Sequence, residues 1–175
     1  MNIVLIGYRG SGKSIAGSRL AARLQRKFVD TDDLIEERHG VLISDIVESH
    51  GWDYFRAIEK RIIEEVSNED HLVIATGGGA VLDDGNLRSL KKNSLIIWLK
   101  ADQQVLCKRI GQDPRTIANR PTLTGKGVLE ELGEIMVSRS PFYENAADVQ
   151  LDTSTLDVEA VVERVLSIID KRIGT

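Results

Sequence analysis

The segment 7–14 has residue types and a spacing that can bind a polyphosphate. It reads GYRGSGKS, directly after the apolar run 3–6 and before a helical pattern. Its three glycines let backbone N–H groups point inward, at the positive end of the following helix. In such loops the lysine reaches the β- and γ-phosphates and the serine hydroxyl faces Mg²⁺, roles that fall on Lys13 and Ser14. The alternative interpretation of this segment is a glycine-rich turn with an exposed lysine and no ligand.

Two further segments, each at or directly after a predicted strand, contain residues that could bind a ligand or a metal. Residues 27–30 read KFVD and continue into Thr31, Asp32 and Asp33, while the run 71–75 continues into three glycines at 77–79. We interpret Asp30, at the end of its strand, as the carboxylate on the metal side. A tight turn needs one glycine or two, so three indicate backbone that approaches a ligand closely.

The periodicity of the chain predicts the elements that position these segments. Short segments rich in apolar or β-branched residues predict strands at 3–6, 71–75 and 95–99, and two shorter strands are predicted at 27–30 and 148–151. Helical repeats predict helices at 14–24, 34–38, 44–47, 52–66, 86–92, 103–110 and 128–145, the last interrupted near Pro141, and a closing helix from Val158 to about Ile169. We interpret Trp52, Phe55 and the apolar stripe of the closing helix as core.

Alternating strands and helices predict an α/β fold with three layers, α/β/α, around a five-stranded parallel sheet. Ligands of such sheets bind beyond the carboxyl ends of the strands, where the three segments meet. Residues 111–127 form a polar stretch of a length typical of a lid. With 175 residues, of which 42% are hydrophobic, the chain suffices for one domain.

Composition limits the partners and the compartment. The chain has 23 basic and 27 acidic side chains and a net charge of −4, so a nucleic-acid-binding face is not expected. Cys107 is the one cysteine and the three histidines are scattered, which excludes an internal disulfide and gives no metal-ligand spacing. No apolar run reaches the length of a membrane span. We expect a cytoplasmic protein without a membrane or nucleic-acid partner.

Other motifs separate the classes of protein that use a phosphate loop. A switch GTPase would carry Asp-x-x-Gly and Asn-Lys-x-Asp, and neither occurs. Motor ATPases place an aspartate on Mg²⁺ at the end of a strand, whereas the strand ending at Ala75 lacks one. The pattern therefore favours a small kinase.

The order of the motifs resembles the shikimate kinase family over almost the whole chain. The motifs are the loop 7–14, DTD at 30–32, FRAIE at 55–59, GGG at 77–79, RPTL at 120–123 and RSPFY at 139–143. The resemblance implies a P-loop fold like that of the nucleoside monophosphate kinases, with a lid. It implies transfer of the γ-phosphate of ATP to the 3-hydroxyl of shikimate, with Mg²⁺, in aromatic amino-acid biosynthesis. We expect a monomer with core segments 1–31, 67–110 and 146–175, a substrate-binding segment 32–66 and a lid at 111–127.

The resemblance also assigns the substrate-binding residues. Arg56 and Arg139 resemble the family's carboxylate-binding pair, and guanidinium forks suit a planar carboxylate. From the residues alone, Arg56 is equally well a surface pair with Glu59, and Arg139 a solvated helix residue. Asp32 resembles the base that accepts the proton of the reactive hydroxyl. The remaining substrate-binding positions are Gly77, Gly78 and Gly79.

Nucleotide binding falls on a second set of positions. These are Gly10, Ser11, Gly12, Lys13, Ser14, Ile15, Arg109 and Arg120. Lys13 and Arg120 join Asp32 as catalytic residues, with Arg120 as the lid arginine that moves onto the phosphates, and Ser14 and Asp30 bind the metal. Arg109 resembles the arginine stacked on adenine, although a cation at a helix C-terminus fits it too.

Departures from the family pattern are few. Ile15 stands where threonine is frequent, residues 113–115 lengthen the lid, and the region after Leu151 has no proline for the adenine edge. Two alternatives stay open: a gluconate-type kinase, and a nucleotide-binding module without phosphoryl transfer.

Overall fold

A single parallel sheet forms the centre of the fold. The computed structural model describes residues 1–113 and 128–173. Its strands are Asn2–Ile6 (β1), Lys27–Asp30 (β2), Leu72–Ala75 (β3), Ser94–Lys100 (β4) and Val149–Asp152 (β5). Each neighbouring pair is parallel, in the order β2-β3-β1-β4-β5. The five predicted strands are confirmed.

Helices connect successive strands. They are Lys13–Leu24 (α1), Thr31–His39 (α2), Ile43–Ser67 (α3), Asp84–Lys91 (α4), Gln103–Gln112 (α5), Val128–Ala146 (α6) and Val158–Ile173 (α7), with a 3₁₀ turn at Ala80–Leu82. Gly51 breaks α3 with φ 82° and ψ 170°, so the two helices predicted there are present as two helical parts.

Two hydrophobic clusters cover the faces of the sheet. Successive side chains of a strand point to opposite faces. Accordingly, Ile3 and Leu5 of β1 pack with side chains of α1 and α7, whereas Val4 and Ile6 pack with side chains of α2, α3 and α4. The four β1 side chains have no exposed surface. The three-layer prediction is confirmed.

The start of α2 differs from the prediction. We expected the helix from residue 34, after 31–33, but it begins at Thr31 and Asp30 is its N-cap. The Oδ1 atom of Asp30 accepts hydrogen bonds from the backbone N–H groups of Asp32, at 3.0 Å, and Asp33, at 3.5 Å. Such caps satisfy donors that a helix leaves unpaired. The cap fixes Asp32 in the first turn, directly beyond the sheet edge.

Two further expectations were wrong in part. α6 continues through Pro141 instead of being interrupted there. Proline cannot donate to the carbonyl four residues earlier, which belongs to Val137. Val137 is 78% exposed, so the residue that loses this bond lies on the solvent side of α6. Phe55 is buried as expected, but Trp52 is only partly buried and lies beside a cavity.

The carboxyl ends of β1, β2 and β3 bring the three predicted segments together. The N–H of Gly77 donates to Thr31 Oγ1 at 3.1 Å, and the N–H of Thr76 donates to the carbonyl of Leu5 at 3.2 Å. These bonds fix the residues that follow β3 between the phosphate loop and α2. Within residues 1–113 and 128–173, no helix has the length and apolar character to cross a membrane.

Candidate active site

The phosphate loop connects β1 to α1. Gly10 and Gly12 have φ values of 78° and 91°, and Gly12 is the N-cap of α1. Side chains rarely adopt this left-handed region, so glycine is needed for the turn. Lys13 is buried, and its Nζ donates to the carbonyls of Gly7, at 2.7 Å, and Tyr8, at 2.9 Å. The lysine is held inside the loop, at the helix N-terminus.

A hydroxyl and a carboxylate meet on the side of the loop that faces β2. The hydroxyl of Ser14 donates to Asp30 Oδ2 at 2.5 Å. Across the described residues, no group of three or more His, Cys, Asp or Glu side chains is arranged to hold a metal. Mg²⁺ beside a nucleotide needs only one or two protein oxygens, because phosphates and water supply the rest. The oxygen pair therefore fits Mg²⁺.

A cavity lies beyond the loop, above α1. Its lining combines the loop with residues of α5 and the segment after β5: Gly10, Ser11, Gly12, Lys13, Ser14, Ile15, Arg109, Thr153, Leu156 and Val158 among others. We call it the nucleotide cavity. All predicted nucleotide-binding positions within the described residues line it.

Arg109 is fixed at the rim of this cavity. Its Nη2 donates to the carbonyl of Thr153 at 2.8 Å and its Nη1 to Thr153 Oγ1 at 3.2 Å. Leu156 and Val158 supply apolar lining after β5, where the missing proline left the adenine contact open. We had interpreted Val158 as core alone, but it is partly exposed and lines the cavity.

A second cavity, which we call the acceptor cavity, lies between the phosphate loop, α3 and the triple glycine. Its lining includes Tyr8, Arg9, Asp32, Trp52, Phe55, Arg56, Glu59, Gly77, Gly78, Gly79 and Arg139. Every predicted substrate-binding residue lies on it. Arg9 and Asp32 also line the nucleotide cavity, so the two cavities meet at these side chains.

Arg56 is held by a buried carboxylate. Its Nη1 donates to Glu59 Oε2 at 2.6 Å, and Glu59 is 1% exposed. The surface-pair interpretation of Arg56 is therefore wrong. Its guanidinium also lies over the rings of Trp52 and Phe55, at 5.4 and 5.1 Å from their centroids. These contacts fix the direction of the guanidinium in the cavity.

Burial raises the pKa of Glu59, and the nearby charge of Arg56 opposes that shift. A carboxyl whose pKa is higher in the folded than in the unfolded state stabilises the fold most at low pH. That contribution is lost as the pH rises through the folded-state pKa. At neutral pH, an ionised Glu59 therefore depends on Arg56 for compensation.

Arg139 approaches the same cavity from α6. Its Nη1 donates to the carbonyl of Gly78 at 3.1 Å. The hydroxyl of Tyr143, one turn further along α6, donates to the same carbonyl at 2.5 Å. Burial raises the pKa of Tyr143 to about 12, so its hydroxyl keeps the proton that it donates. This contact is not predictable from the sequence, because nothing in the local spacing links residues 78 and 143.

Side chains at two of the three glycines would lie too close to functional side chains. A Cβ at Gly79 would lie 2.5 Å from Nη2 of Arg56, and one at Gly77 would lie 2.7 Å from Asp32 Oδ1 and 2.8 Å from Glu59 Oε1. Gly77 and Gly79 thus leave space for the functional side chains around them, whereas a Cβ at Gly78 would meet the carbonyl oxygen of Gly7 at 3.5 Å, an ordinary contact distance. Asp32 is 8% exposed and lies on both cavities, whereas Asp33 is exposed and lines neither. Of the two aspartates, only Asp32 is therefore placed to contact molecules in these cavities.

Two predicted features fall on other parts of the chain. Arg120, and the lid apart from residues 111–113, lie outside the described residues.

Arg9 lines both cavities but was not among the predicted site residues. It is 8% exposed, and its Nε donates to the hydroxyl of Tyr8 at 3.3 Å. Its place inside the loop motif was the available signal, since a cation there lies beside the phosphates.

The fold, with three layers in the order α/β/α, and the two cavities define a phosphate-loop kinase. The family model for shikimate kinase matches residues 9–170. The chain belongs to the shikimate kinase family, transferases that phosphorylate shikimate with ATP.

Individual relatives agree with this assignment. The shikimate kinase of Syntrophus aciditrophicus (strain SB) is 41% identical over 173 residues, covering 94% of this chain and 89% of that protein. The shikimate kinase of Acinetobacter baumannii in complex with shikimate superposes with a TM-score of 0.90 at 30% identity, covering 98% of this chain and 93% of that one. A gluconokinase from Sinorhizobium meliloti 1021, with a TM-score of 0.56 and 19% identity, shares the fold alone.

Proposed function

We propose that this chain transfers the γ-phosphoryl group of ATP to the 3-hydroxyl of shikimate, giving shikimate 3-phosphate and ADP. One observation carries the proposal: a cavity with a phosphate loop and a cavity lined by the guanidinium groups of Arg56 and Arg139 meet at Arg9 and Asp32. A nucleotide in the first cavity can thus direct its terminal phosphate at an acidic substrate in the second.

Arg56 and Arg139 bind the carboxylate of shikimate in this proposal. Both side chains line the acceptor cavity, one from α3 and one from α6. A guanidinium fork donates two parallel hydrogen bonds to a planar carboxylate, which a lysine cannot do. Both arginines already have a fixed direction, Arg56 through Glu59 and Arg139 through the Gly78 carbonyl. This preorganisation lowers the entropy cost of binding.

Asp32 holds the reactive hydroxyl and accepts its proton. As the oxygen attacks, a new P–O bond forms and the bond between the γ-phosphorus and the β–γ bridging oxygen breaks. The proton passes to the carboxylate of Asp32, and ADP carries the electron pair of the broken bond. Because the transition state of phosphoryl transfer is loose, the carboxylate acts mainly by orienting the nucleophile. The cap at Asp30 supports this role, since it fixes the backbone N–H of Asp32.

Loop N–H groups and Lys13 hold the phosphates. In the structure Lys13 Nζ donates to loop carbonyls, and phosphate oxygens would compete for the same ammonium group. Ser14 and Asp30 would hold Mg²⁺, as their adjacent oxygens suggest. Bound there, the ion neutralises negative charge on the phosphate oxygens.

The remaining assignments are proposals of the same kind. Arg120 would place a cation on the phosphates when the lid, within 111–127, closes, and Arg109 with Ile15 would border the adenine and ribose. Residues 1–31, 67–110 and 146–175 would be the core and 32–66 the substrate-binding segment of one domain. We propose a monomer acting in the reduced cytoplasm, which Cys107, a free thiol, supports.

A coupled assay of ADP release tests this function. With ATP and Mg²⁺, we expect rapid turnover with shikimate and background with gluconate, because the two arginines are held in fixed directions, which suits a carboxylate on a rigid ring better than one on a flexible chain. Coupling between phosphorus and the ring proton at the 3-position in NMR spectra checks the phosphorylated oxygen.

The two alternatives give different results in this assay. Rapid turnover with gluconate alone would favour the gluconate-type kinase and contradict the proposal. Binding of ATP without turnover of either acid would favour a nucleotide-binding module and contradict it equally.

A further inference from the structure

The peptide unit between Gly78 and Gly79 is held by side chains of α6. Both polar backbone groups of Gly77, one residue earlier, have partners close by in the chain fold, Thr31 Oγ1 and the N–H of Ala80. The carbonyl of Gly78 instead accepts from two side chains one turn apart on α6. Because glycines stand on both sides of this peptide unit, no Cβ atom restricts its rotation. Its direction therefore depends on these hydrogen bonds.

The two donors to this carbonyl, Tyr143 and Arg139, differ in what else they do. Tyr143 is 3% exposed, and its ring stacks on Trp98 with 5.4 Å between the ring centroids. It lies behind the acceptor cavity and is not part of its lining. Arg139 is only partly buried, lines the cavity and binds the substrate carboxylate in the proposed function. The carboxylate thus competes with the Gly78 carbonyl for Arg139, but not for Tyr143.

We propose that Tyr143 is a positioning residue for substrate binding, because its hydroxyl fixes the peptide unit between Gly78 and Gly79 while Arg139 binds the carboxylate. The C=O and N–H of a trans peptide unit point in opposite directions, and no described peptide bond is cis. A carbonyl held on α6 therefore turns the N–H of Gly79 away from α6, and Gly79 lines the acceptor cavity. A donor with a fixed direction binds a ligand at a lower entropy cost. The inference rests on the proposed function, from which it takes the acidic substrate.

Tyr143→Phe tests this role, because phenylalanine keeps the ring against Trp98 and removes only the hydroxyl. Isothermal titration measures the Kd of shikimate and of ADP with Mg²⁺, calorimetry measures the Tm, and NMR measures the ¹³C chemical shift of the Gly78 carbonyl without ligand. We expect a Kd of shikimate about threefold to tenfold weaker and an unchanged Kd of ADP. The Tm should fall by no more than about 4 °C, the effect of one hydrogen bond in a chain of this size. The carbonyl resonance should move upfield, as it does when a hydrogen bond is lost.

Tyr54→Phe is the matched control. Tyr54 is 46% exposed, stacks on His50 and lines neither cavity, so both Kd values should equal those of the parent.

Four results for Tyr143→Phe would overturn the proposal: an unchanged Kd of shikimate, an equal loss of affinity for ADP, a larger fall in Tm, or an unchanged Gly78 resonance. The resonance is read without substrate, and turnover of shikimate by the parent is measured separately. Failure of the proposed function is therefore distinguishable from failure of this inference.

Discussion

Replacing Asp32 with asparagine should lower kcat for shikimate by about 10²–10⁴-fold while the KM for ATP changes less than about threefold. The carboxylate lies where the two cavities meet, 8% exposed, and asparagine keeps its size but cannot accept the proton. The loss should therefore appear in the chemical step. Steady-state kinetics with each substrate varied in turn checks this.

Asp33→Asn is the matched control for that variant. It makes the same chemical change one residue further along α2, at an exposed side chain that lines neither cavity. We expect kcat within about twofold of the parent, as for ordinary surface changes. Activity of Asp32→Asn within a few fold of the parent would contradict the assignment of the base. A collapse in Asp33→Asn instead would transfer the role to its neighbour.

Replacing Arg139 with lysine should chiefly raise the KM for shikimate, by about tenfold to a hundredfold. A hydrogen bond to a charged group contributes about 1.5–3 kcal/mol, and each 1.4 kcal/mol corresponds to a factor of ten. Lysine keeps the charge but loses the fork that can bind a carboxylate and the Gly78 carbonyl together. The KM for ATP should change little, because Arg139 does not line the nucleotide cavity.

Arg23→Lys controls for the substitution itself. Arg23 is exposed on α1, pairs with Glu163 and does not line the acceptor cavity. Its KM for shikimate should equal that of the parent. If Arg139→Lys also leaves this KM unchanged, Arg139 is a surface residue and not half of the carboxylate-binding pair.

The fold was predictable because its signals are local. An apolar run reports a buried strand wherever it lies, and the run 3–6 lies in the fully buried strand β1. The phosphate loop was predictable for a similar reason. Its glycines, lysine and serine lie within eight consecutive residues, so one local pattern contains all the residues of the motif. Alternation of strands and helices then determined the parallel sheet.

The acceptor side depended on contacts between distant residues. Arg56 looked equally like a surface residue until the structure placed Glu59 in the core, and burial is a property of the assembled fold. The convergence of Tyr143 and Arg139 on the Gly78 carbonyl joins α6 to the end of β3, more than sixty positions earlier. The spacing of residues along the sequence does not predict contacts between such distant positions.

Helix caps and buried hydroxyl groups without a partner are a third kind of feature that the sequence alone did not predict. Asp30 caps α2 with one carboxylate oxygen and accepts from Ser14 with the other, so a residue predicted for metal binding also starts a helix. The cap moved the helix start to Thr31, three residues before the first helical residue expected. The buried hydroxyl of Thr76 has no hydrogen-bond partner among the described residues, which is recognisable only after the partners of its neighbours are known.

A crystal structure of the protein with shikimate and ADP tests the central claim most directly. We predict the carboxylate of shikimate within hydrogen-bond distance of the guanidinium groups of both Arg56 and Arg139, with a ring hydroxyl on the Asp32 carboxylate facing the phosphate loop. A shikimate molecule whose carboxylate lies away from both guanidinium groups would contradict it.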